Sequence, residues 1–177
     1  MVTAPEVILD SEKEYEIVDG QPEEKEIGGA RHGGVGTRLI GELWMHVKAH
    51  KLGGVYGPDT TFLIGRNERL PDVSFVAASR IPPEGEPEGR WEIAPDLAVE
   101  IISPNDLYEK VINKVWEYLA AGVRQVWIIS PEHKTVIAYH SPTQTTILTE
   151  ADELATDELL PGFRLRVGEL FSSPARA

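Results

Sequence analysis

The chain has 177 residues, of which 41% are hydrophobic and 26% are charged, as is usual for a soluble globular protein. It contains no cysteine, which excludes disulfides and thiolate metal sites. Its net charge of −12 disfavours tight nucleic-acid binding, because such proteins usually carry a basic patch that displaces counter-ions from phosphate.

The sequence also carries predictions about location and domain organisation. No apolar run approaches the roughly 20 residues of a membrane helix, and the N-terminus lacks the basic and apolar regions of a secretory signal. We therefore expect a cytoplasmic protein without membrane association. With no internal repeat or linker, residues 1–171 are expected to form a single domain, and 172–177 a flexible tail.

The first half of the chain is predicted to contain a hairpin, a helix and two strands. Segment 14–24 is a strand ending in a turn, with Asp19-Gly20 as the hairpin signal. The glycine-rich segment 28–34 is interpreted as a flexible approach to a helix over about 34–51, where apolar residues recur every three or four positions. The following elements are a strand at 55–65, a turn at 66–69, a strand at 70–78 and an exposed loop at 79–91.

The second half is predicted to be strand–helix–strand followed by a hairpin. Segment 96–103 is almost continuously apolar, as expected for a central strand covered on both faces. A helix over about 106–121, closed by Gly122, leads to a strand at 123–130 that should be parallel to the first, with a right-handed crossover. Hairpin strands at 135–141 and 145–150 follow, and 158–171 ends the fold. This order predicts an α/β fold with a mixed sheet.

Three charged residues stand where the local pattern favours apolar ones. Asp72 opens the strand at 70–78, Glu100 interrupts the central strand, and Lys114 falls on the apolar stripe of the following helix. A charge in a core costs several kcal/mol unless it is paired or bound to a metal. Because the helix leaves the central strand and folds back over the sheet, Lys114 can approach Glu100, and a neighbouring strand can supply Asp72.

Taken singly, each of these charges has a structural explanation. Lys114 could extend its ammonium to solvent from the edge of the stripe. Glu100 could pair with a core arginine, and Asp72 could be an ordinary strand-start residue after proline. His46 and His50 have the i, i+4 spacing of a metal pair, but without a third ligand a solvated helix face is favoured.

Taken together, these segments resemble a known family. The matching residues are LPDVSFV at 70–76, PDLAVEIISPND at 95–106 and KVWEYLAAGVRQVWIISPE at 114–132, with weaker matches in YEIVDG at 15–20, His32, and LLPGFRLRVGELF at 159–171. The chain resembles the Uma-two family of putative restriction endonucleases, within the PD-(D/E)xK nuclease superfamily.

The resemblance implies a restriction-endonuclease-like mixed sheet flanked by helices, with peripheral β-hairpins. It also implies a nuclease active site that uses Mg²⁺, for which Mn²⁺ can substitute. Asp72 and Glu100 would be the metal ligands and, with Lys114, the catalytic residues. In the standard superfamily motif the lysine lies two residues after the acid, where this chain has Ile102, so Lys114 resembles a migrated lysine.

Further candidates are Lys110, the rival for the migrated lysine, and Glu16, His32 and Ser103 as auxiliary residues. The expected activity is Mg²⁺-dependent hydrolysis of DNA phosphodiester bonds. The alternative is a catalytically silent member of the same fold that binds nucleic acid or protein. A homodimer is also expected, because nucleases that cut both strands commonly present two sites and Trp116 should lie on the outer face of its helix.

Lys114 also leads to a stability prediction. Methionine would keep the packing of the lysine stem and remove the cost of desolvating its charge. If Lys114 is catalytic, Lys114→Met is therefore expected to raise thermal stability by up to about a few degrees. Cleavage should fall at least about a hundredfold, the usual scale for losing a positioned charge.

Overall fold

The computed structural model describes residues 13–25, 28–104 and 106–173, which form twelve strands and three α-helices. The strands are β1 (Tyr15–Val18), β2 (Gln21–Glu24), β3 (Gly53–Tyr56), β4 (Phe62–Ile64), β5 (Asn67–Arg69), β6 (Val73–Ala77), β7 (Leu97–Ile101), β8 (Gln125–Ser130), β9 (Thr135–Ser141), β10 (Gln144–Leu148), β11 (Glu153–Ala155) and β12 (Arg164–Arg166). The helices are α1 (Ala30–His50), α2 (Tyr108–Ala120) and α3 (Val167–Leu170). Residues 174–177 of the predicted tail lie outside the described residues.

A six-stranded sheet forms the centre of the fold, in the order β10-β9-β8-β7-β6-β3. Strands β7 and β8 are parallel, with Glu100 opposite Ile128, and the other neighbours are antiparallel. Every residue of β7 and β8 is buried, which fits their near-continuous apolar sequence. The predicted parallel pair and mixed sheet are confirmed.

The two faces of the central sheet are covered by different elements. One face packs against α1 and the C-terminal segment, and the other packs against α2. Because side chains alternate along a strand, Val99 of β7 faces α1, whereas Ala98 and Glu100 face α2. A second sheet, in the order β2-β1-β5-β4, contributes Phe62 and Ile64 to the α2 side. Glu100 is therefore directed toward the layer that contains Lys114.

Helix α1 begins at Ala30, four positions before the predicted start, so the interpretation of segment 28–34 as a flexible approach is wrong. Glycines weaken an isolated helix, but packing against the sheet supports this one. A Cβ atom added at Gly36 would lie 3.3 Å from Ile101 Cδ1, so the helix packs closely against the sheet at this position. The helix ends at His50 and is capped by Lys51, which lies in the left-handed region with φ of 55°.

The predicted strand at 55–65 is two strands in different sheets, because the chain turns between them. Pro58 cannot donate a backbone hydrogen bond, and the Thr60 amide donates to the Gly57 carbonyl at 3.2 Å. The predicted turn at 66–69 is also wrong, since Asn67–Arg69 forms β5. The bend falls earlier, at Gly65, which has a positive φ of 63°.

The remaining boundaries differ from the predictions by a few residues. Asp72 lies just before β6 rather than inside it, and the predicted exposed loop at 79–91 ends in the buried Trp91. Gly122 follows α2 with φ of 91°, as the prediction required. The β1–β2, β9–β10 and β11–β12 pairs form hairpins. In the described part of the chain, no helix is long and apolar enough to cross a membrane.

Candidate active site

The antiparallel pairing of β6 with β7 brings Asp72 beside the Glu100 segment. Val73 lies opposite Val99, so the residue before β6 meets the C-terminal end of β7. The backbone amide of Ile101 donates to Asp72 Oδ2 at 2.7 Å. The Asp72 carboxylate is therefore fixed to the residue that follows Glu100.

Helix α2 brings Lys114 to the same place. Lys114 Nζ lies 3.3 Å from Glu100 Oε2 and 3.1 Å from both oxygens of Glu16. Tyr118, one helical turn later, donates its hydroxyl to Glu100 Oε1 at 2.6 Å. The Lys114 side chain is only 21% exposed, so its ammonium pairs with carboxylates instead of extending to solvent. The fold thus brings the three predicted residues together with Glu16, one of the predicted auxiliary residues.

A buried arginine holds Glu16 from behind. Arg69 Nη1 donates to Glu16 Oε2 at 2.9 Å, and the Leu70 amide donates to Glu16 Oε1 at 3.1 Å. Arg69 Nε and Nη2 donate to Glu117, at 2.7 to 2.9 Å. The core arginine considered as a partner for Glu100 therefore exists, but it pairs with two other glutamates.

Asp72 has two cationic neighbours of its own. Lys25 Nζ lies 3.3 Å from Asp72 Oδ1, and His32 Nε2 lies 3.1 Å from Asp72 Oδ2. Lys25 follows β2, and His32 lies in the first turn of α1. The first hairpin and the N-terminal end of α1 thus close the Asp72 side of the site.

The surroundings of Glu100 and Lys114 raise the pKa values of both groups. Burial raises the pKa of Glu100 above its usual range, and the ion pair with Lys114 only partly opposes this. Burial favours neutral Lys114, but Glu100 and Glu16 outweigh it and raise the pKa of the ammonium. The proton therefore stays on Lys114, while the carboxylate charge of Glu100 is incompletely compensated.

The other carboxylates of the site stay ionised. Burial opposes ionisation of Asp72, but the His32 hydrogen bond and the Lys25 charge bring its pKa below the usual value. Burial likewise opposes ionisation of Glu16, where Lys114 and Arg69 prevail and lower the pKa. The hydrogen bond to Asp72 raises the pKa of His32 and outweighs burial, which lowers it. The charged form of His32 is therefore favoured.

Two other predicted residues lie elsewhere in the described structure. Lys110 has a 70% exposed side chain, and its ammonium lies 3.6 Å from Glu23 at the surface. Ser103 lies in the turn before α2, where its amide donates to Asp106 Oδ2 at 2.7 Å. Within the described residues, neither joins the Lys114 ion pairs.

Sequence reasoning misses three other members of the site. Tyr118 could be found, since it lies one helical turn after Lys114 on the same face. Arg69 falls in the predicted turn because its neighbours are polar. Lys25 follows a short exposed strand, and nothing local distinguishes it from Lys13 on the same hairpin.

The donor atoms of the site fit Mg²⁺. Asp72 and Glu100 supply carboxylate oxygens. Burial raises the pKa of Glu100, and a divalent cation would compensate the charge of its buried carboxylate. Among the described residues, no group of three or more His, Cys, Asp or Glu side chains could hold a metal ion. Two carboxylates are sufficient for Mg²⁺, because this ion usually keeps several waters and takes substrate phosphate oxygens.

A mixed sheet with two carboxylates at the ends of adjacent strands and a lysine beside them is typical of restriction-endonuclease-like nucleases. The chain belongs to the Uma2 (Uma-two) family, described as putative restriction endonuclease, whose model matches residues 5–168. A solved structure from Anabaena variabilis ATCC 29413, described as a putative nuclease belonging to DUF820, is 23% identical, covers 93% of each chain and has a TM-score of 0.83. The predicted fold class is thereby confirmed. No curated protein matches the sequence.

Proposed function

We propose that the chain is a Mg²⁺-dependent endonuclease that hydrolyses phosphodiester bonds of DNA. The observation that carries the proposal is the convergence of Asp72, Glu100 and Lys114 from three separate elements. Lys114 Nζ is 3.3 Å from Glu100, and Asp72 is hydrogen-bonded to the amide of Ile101. Membership of the Uma2 family supports nuclease chemistry.

Asp72 and Glu100 would hold the metal in this proposal. When bound, Mg²⁺ lowers the pKa of a coordinated water and polarises phosphoryl oxygens. Tyr118 fixes the orientation of Glu100 through the 2.6 Å hydrogen bond to Oε1, which leaves Oε2 directed toward Lys114. The Ile101 amide fixes Asp72 in the same way, so both carboxylates are positioned before any ligand binds.

Lys114 would act on the phosphate. Its ammonium stays protonated between Glu16 and Glu100, so it can orient the attacking water or stabilise the charge that develops on the phosphoryl oxygens. Glu16 would act as a positioning residue, because Arg69 and the Leu70 amide hold it in place behind the lysine.

We also propose that the protein acts as a homodimer. Trp116 on α2 is 40% exposed and packs edge-on against Tyr139, and Trp44 on α1 is 48% exposed. Large exposed aromatic side chains are enriched at protein interfaces, and nucleases that cut both strands commonly present two copies of their site. The cytoplasmic location stays a prediction from the sequence.

A nuclease assay tests the main proposal. Wild-type protein, Lys114→Met and Lys110→Met would be incubated with single-stranded, duplex and branched DNA in Mg²⁺ or Mn²⁺. Cleavage by the wild type and by Lys110→Met, with at least about a hundredfold loss in Lys114→Met, is expected. A folded wild type that binds DNA and Mn²⁺ but cuts none of these substrates would favour the catalytically silent alternative. Loss of cleavage in Lys110→Met alone would move the catalytic lysine by one helical turn.

A further inference from the structure

Lys25 occupies a position lined by oxygen atoms at the edge of the site. Its ammonium lies 3.3 Å from Asp72 Oδ1 and donates to the backbone carbonyls of Leu70, at 2.7 Å, and Pro58, at 3.2 Å. The side chain is only 12% exposed. One carboxylate oxygen and two carbonyl oxygens around a positive charge resemble the surroundings of a bound hard cation.

The backbone fixes the position of this lysine. The Lys25 amide donates to the Glu14 carbonyl at 2.9 Å, which extends the pairing of the first hairpin by one residue. Lys13 on the same hairpin differs, since it pairs with Glu24 at the surface and its side chain is 44% exposed. Only one of these two lysines is therefore directed into the site.

The two proposed metal ligands have different cationic partners. Lys114, beside Glu100, is also held by a second carboxylate, Glu16, at 3.1 Å. Within the described residues, the other hydrogen-bond acceptors of Lys25 are uncharged carbonyls. Its two carbonyl bonds can persist when the contact with Asp72 is lost, so displacing Lys25 from Asp72 is less costly than displacing Lys114 from Glu100.

We propose that Lys25 is a built-in counter-ion of Asp72, which occupies part of the cation position in the metal-free protein and is displaced from the carboxylate when a divalent ion binds. This inference rests on the function proposed above for the same site. The ammonium keeps Asp72 ionised and oriented, and it lowers the affinity for the metal because both cations need the same carboxylate oxygen.

A purely structural role for Lys25 predicts the opposite effect on metal binding. If the lysine only clamps Leu70 and Pro58 so that Asp72 is correctly placed, its removal should misplace the carboxylate and weaken the metal site. If it competes with the metal, its removal should strengthen the site. The sign of the change in metal affinity therefore distinguishes the two roles.

The test is calorimetric titration of the DNA-free protein with Mn²⁺, comparing Lys25→Met with Lys13→Met. Both variants lose one positive charge from the same hairpin, so they share the change in net charge. A neighbouring opposite charge shifts the proton affinity of a carboxylate by about 1–3 pKa units, so Mn²⁺ should bind at least about tenfold more tightly to Lys25→Met. Lys13→Met should stay within about twofold of the wild type, since its lysine is screened at the surface.

Thermal unfolding supplies a second measurement. Metal-free Lys25→Met should melt below the wild type, and saturating Mn²⁺ should raise its melting temperature by more than it raises that of the wild type. Lys25→Gln keeps a donor for the carbonyls without the charge, and it carries the same expectation if Lys25→Met fails to fold.

Two outcomes separate this inference from the proposed function. In the first outcome, Asp72→Asn abolishes Mn²⁺ binding, but Lys25→Met and Lys25→Gln bind Mn²⁺ no more tightly than Lys13→Met. This result would overturn the role of Lys25 and leave the proposed function standing. Absence of Asp72-dependent Mn²⁺ binding from the wild type and all lysine variants would overturn both.

Discussion

Replacing Lys114 by methionine should destabilise the metal-free protein, contrary to the expectation from sequence. That expectation included the cost of desolvating the ammonium, but not the carboxylates that are left unpaired when the ammonium is removed. In the structure, Lys114 pairs with two buried carboxylates. Without it, Glu16 keeps the hydrogen bonds from Arg69 and Leu70, whereas Glu100 keeps only the one from the Tyr118 hydroxyl among those described.

The size of the effect follows from removing one partner of a buried ion pair, which costs about 3–5 kcal/mol because the other charge is left buried and unpaired. Because Lys114 is partly exposed and Glu16 retains Arg69, the lower value of about 3 kcal/mol is the better expectation. For a chain of this size, that loss corresponds to a fall in melting temperature of roughly 6–12 °C.

The effect should depend on pH, because Glu100 can escape its unpaired charge by taking a proton. Its folded-state pKa is already raised and should rise further in Lys114→Met. When the pKa of a group is higher in the folded than in the unfolded protein, its contribution to stability is complete at pH values below the unfolded-state pKa. That contribution is lost as the pH rises through the folded-state pKa. At a pH above the ordinary pKa of Glu100, keeping this group protonated in the folded protein costs about 1.4 kcal/mol per pH unit. The destabilisation caused by Lys114→Met should therefore be small near pH 5 and largest near pH 8.

The assay is thermal unfolding followed by circular dichroism at pH 5, 6 and 8, without divalent metal. Lys110→Met is the matched control, since it removes a lysine from the same helix whose side chain is exposed, and its melting temperature should scarcely change. Glu100→Gln combined with Lys114→Met should recover stability at pH 8. A Lys114→Met protein as stable as the wild type at pH 8, or with the same deficit at every pH, would refute the reasoning.

Three further predictions concern the metal and assembly. Asp72→Asn should keep the hydrogen bond from the Ile101 amide and the fold, but lose Mn²⁺ binding in calorimetry; unchanged affinity would contradict a metal shared with Glu100. Tyr118→Phe removes a hydrogen bond to the Glu100 carboxylate and should raise the pKa of Glu100 further. On acidification, the variant should therefore lose Mn²⁺ affinity at a higher pH than the wild type. Coincident pH profiles would exclude a role for Tyr118 in keeping Glu100 ionised. Light scattering should report a dimer at micromolar concentration, and a monomer would contradict the role given to Trp116.

The centre of the fold is predictable from the sequence because its signals there are local and strong. The apolar runs around Glu100 and in β8, joined by an amphipathic helix, indicate a buried parallel pair. Helical phase also places Lys114 on the sheet side, where the structure has it. These inferences need only the periodicity of one strand or one helix.

The partners of these charges could not be predicted in the same way. Glu16 and Lys114 are 98 positions apart in the chain, and Asp72 and His32 are 40 apart. Periodicity indicates that a charge is directed inward, but not which distant residue compensates it. Arg69 shows the same limit, since a charged residue among polar neighbours has the pattern of a turn until its two glutamate partners are known.

The attachment of the first hairpin has a consequence for how the molecule opens. Its strand β1 pairs with β5 at one position, Ile17 opposite Glu68, so side-chain contacts, among them those of Glu16 and Lys25, contribute to its docking. Local detachment would withdraw one negative and one positive charge together. The site would keep its net charge while Lys114 and Asp72 each lost a neighbour and gained access to solvent. Opening would expose these buried charges to solvent, where salt screens them and so favours the opened form. Amide hydrogen exchange in this hairpin should therefore accelerate with ionic strength ahead of the central strands.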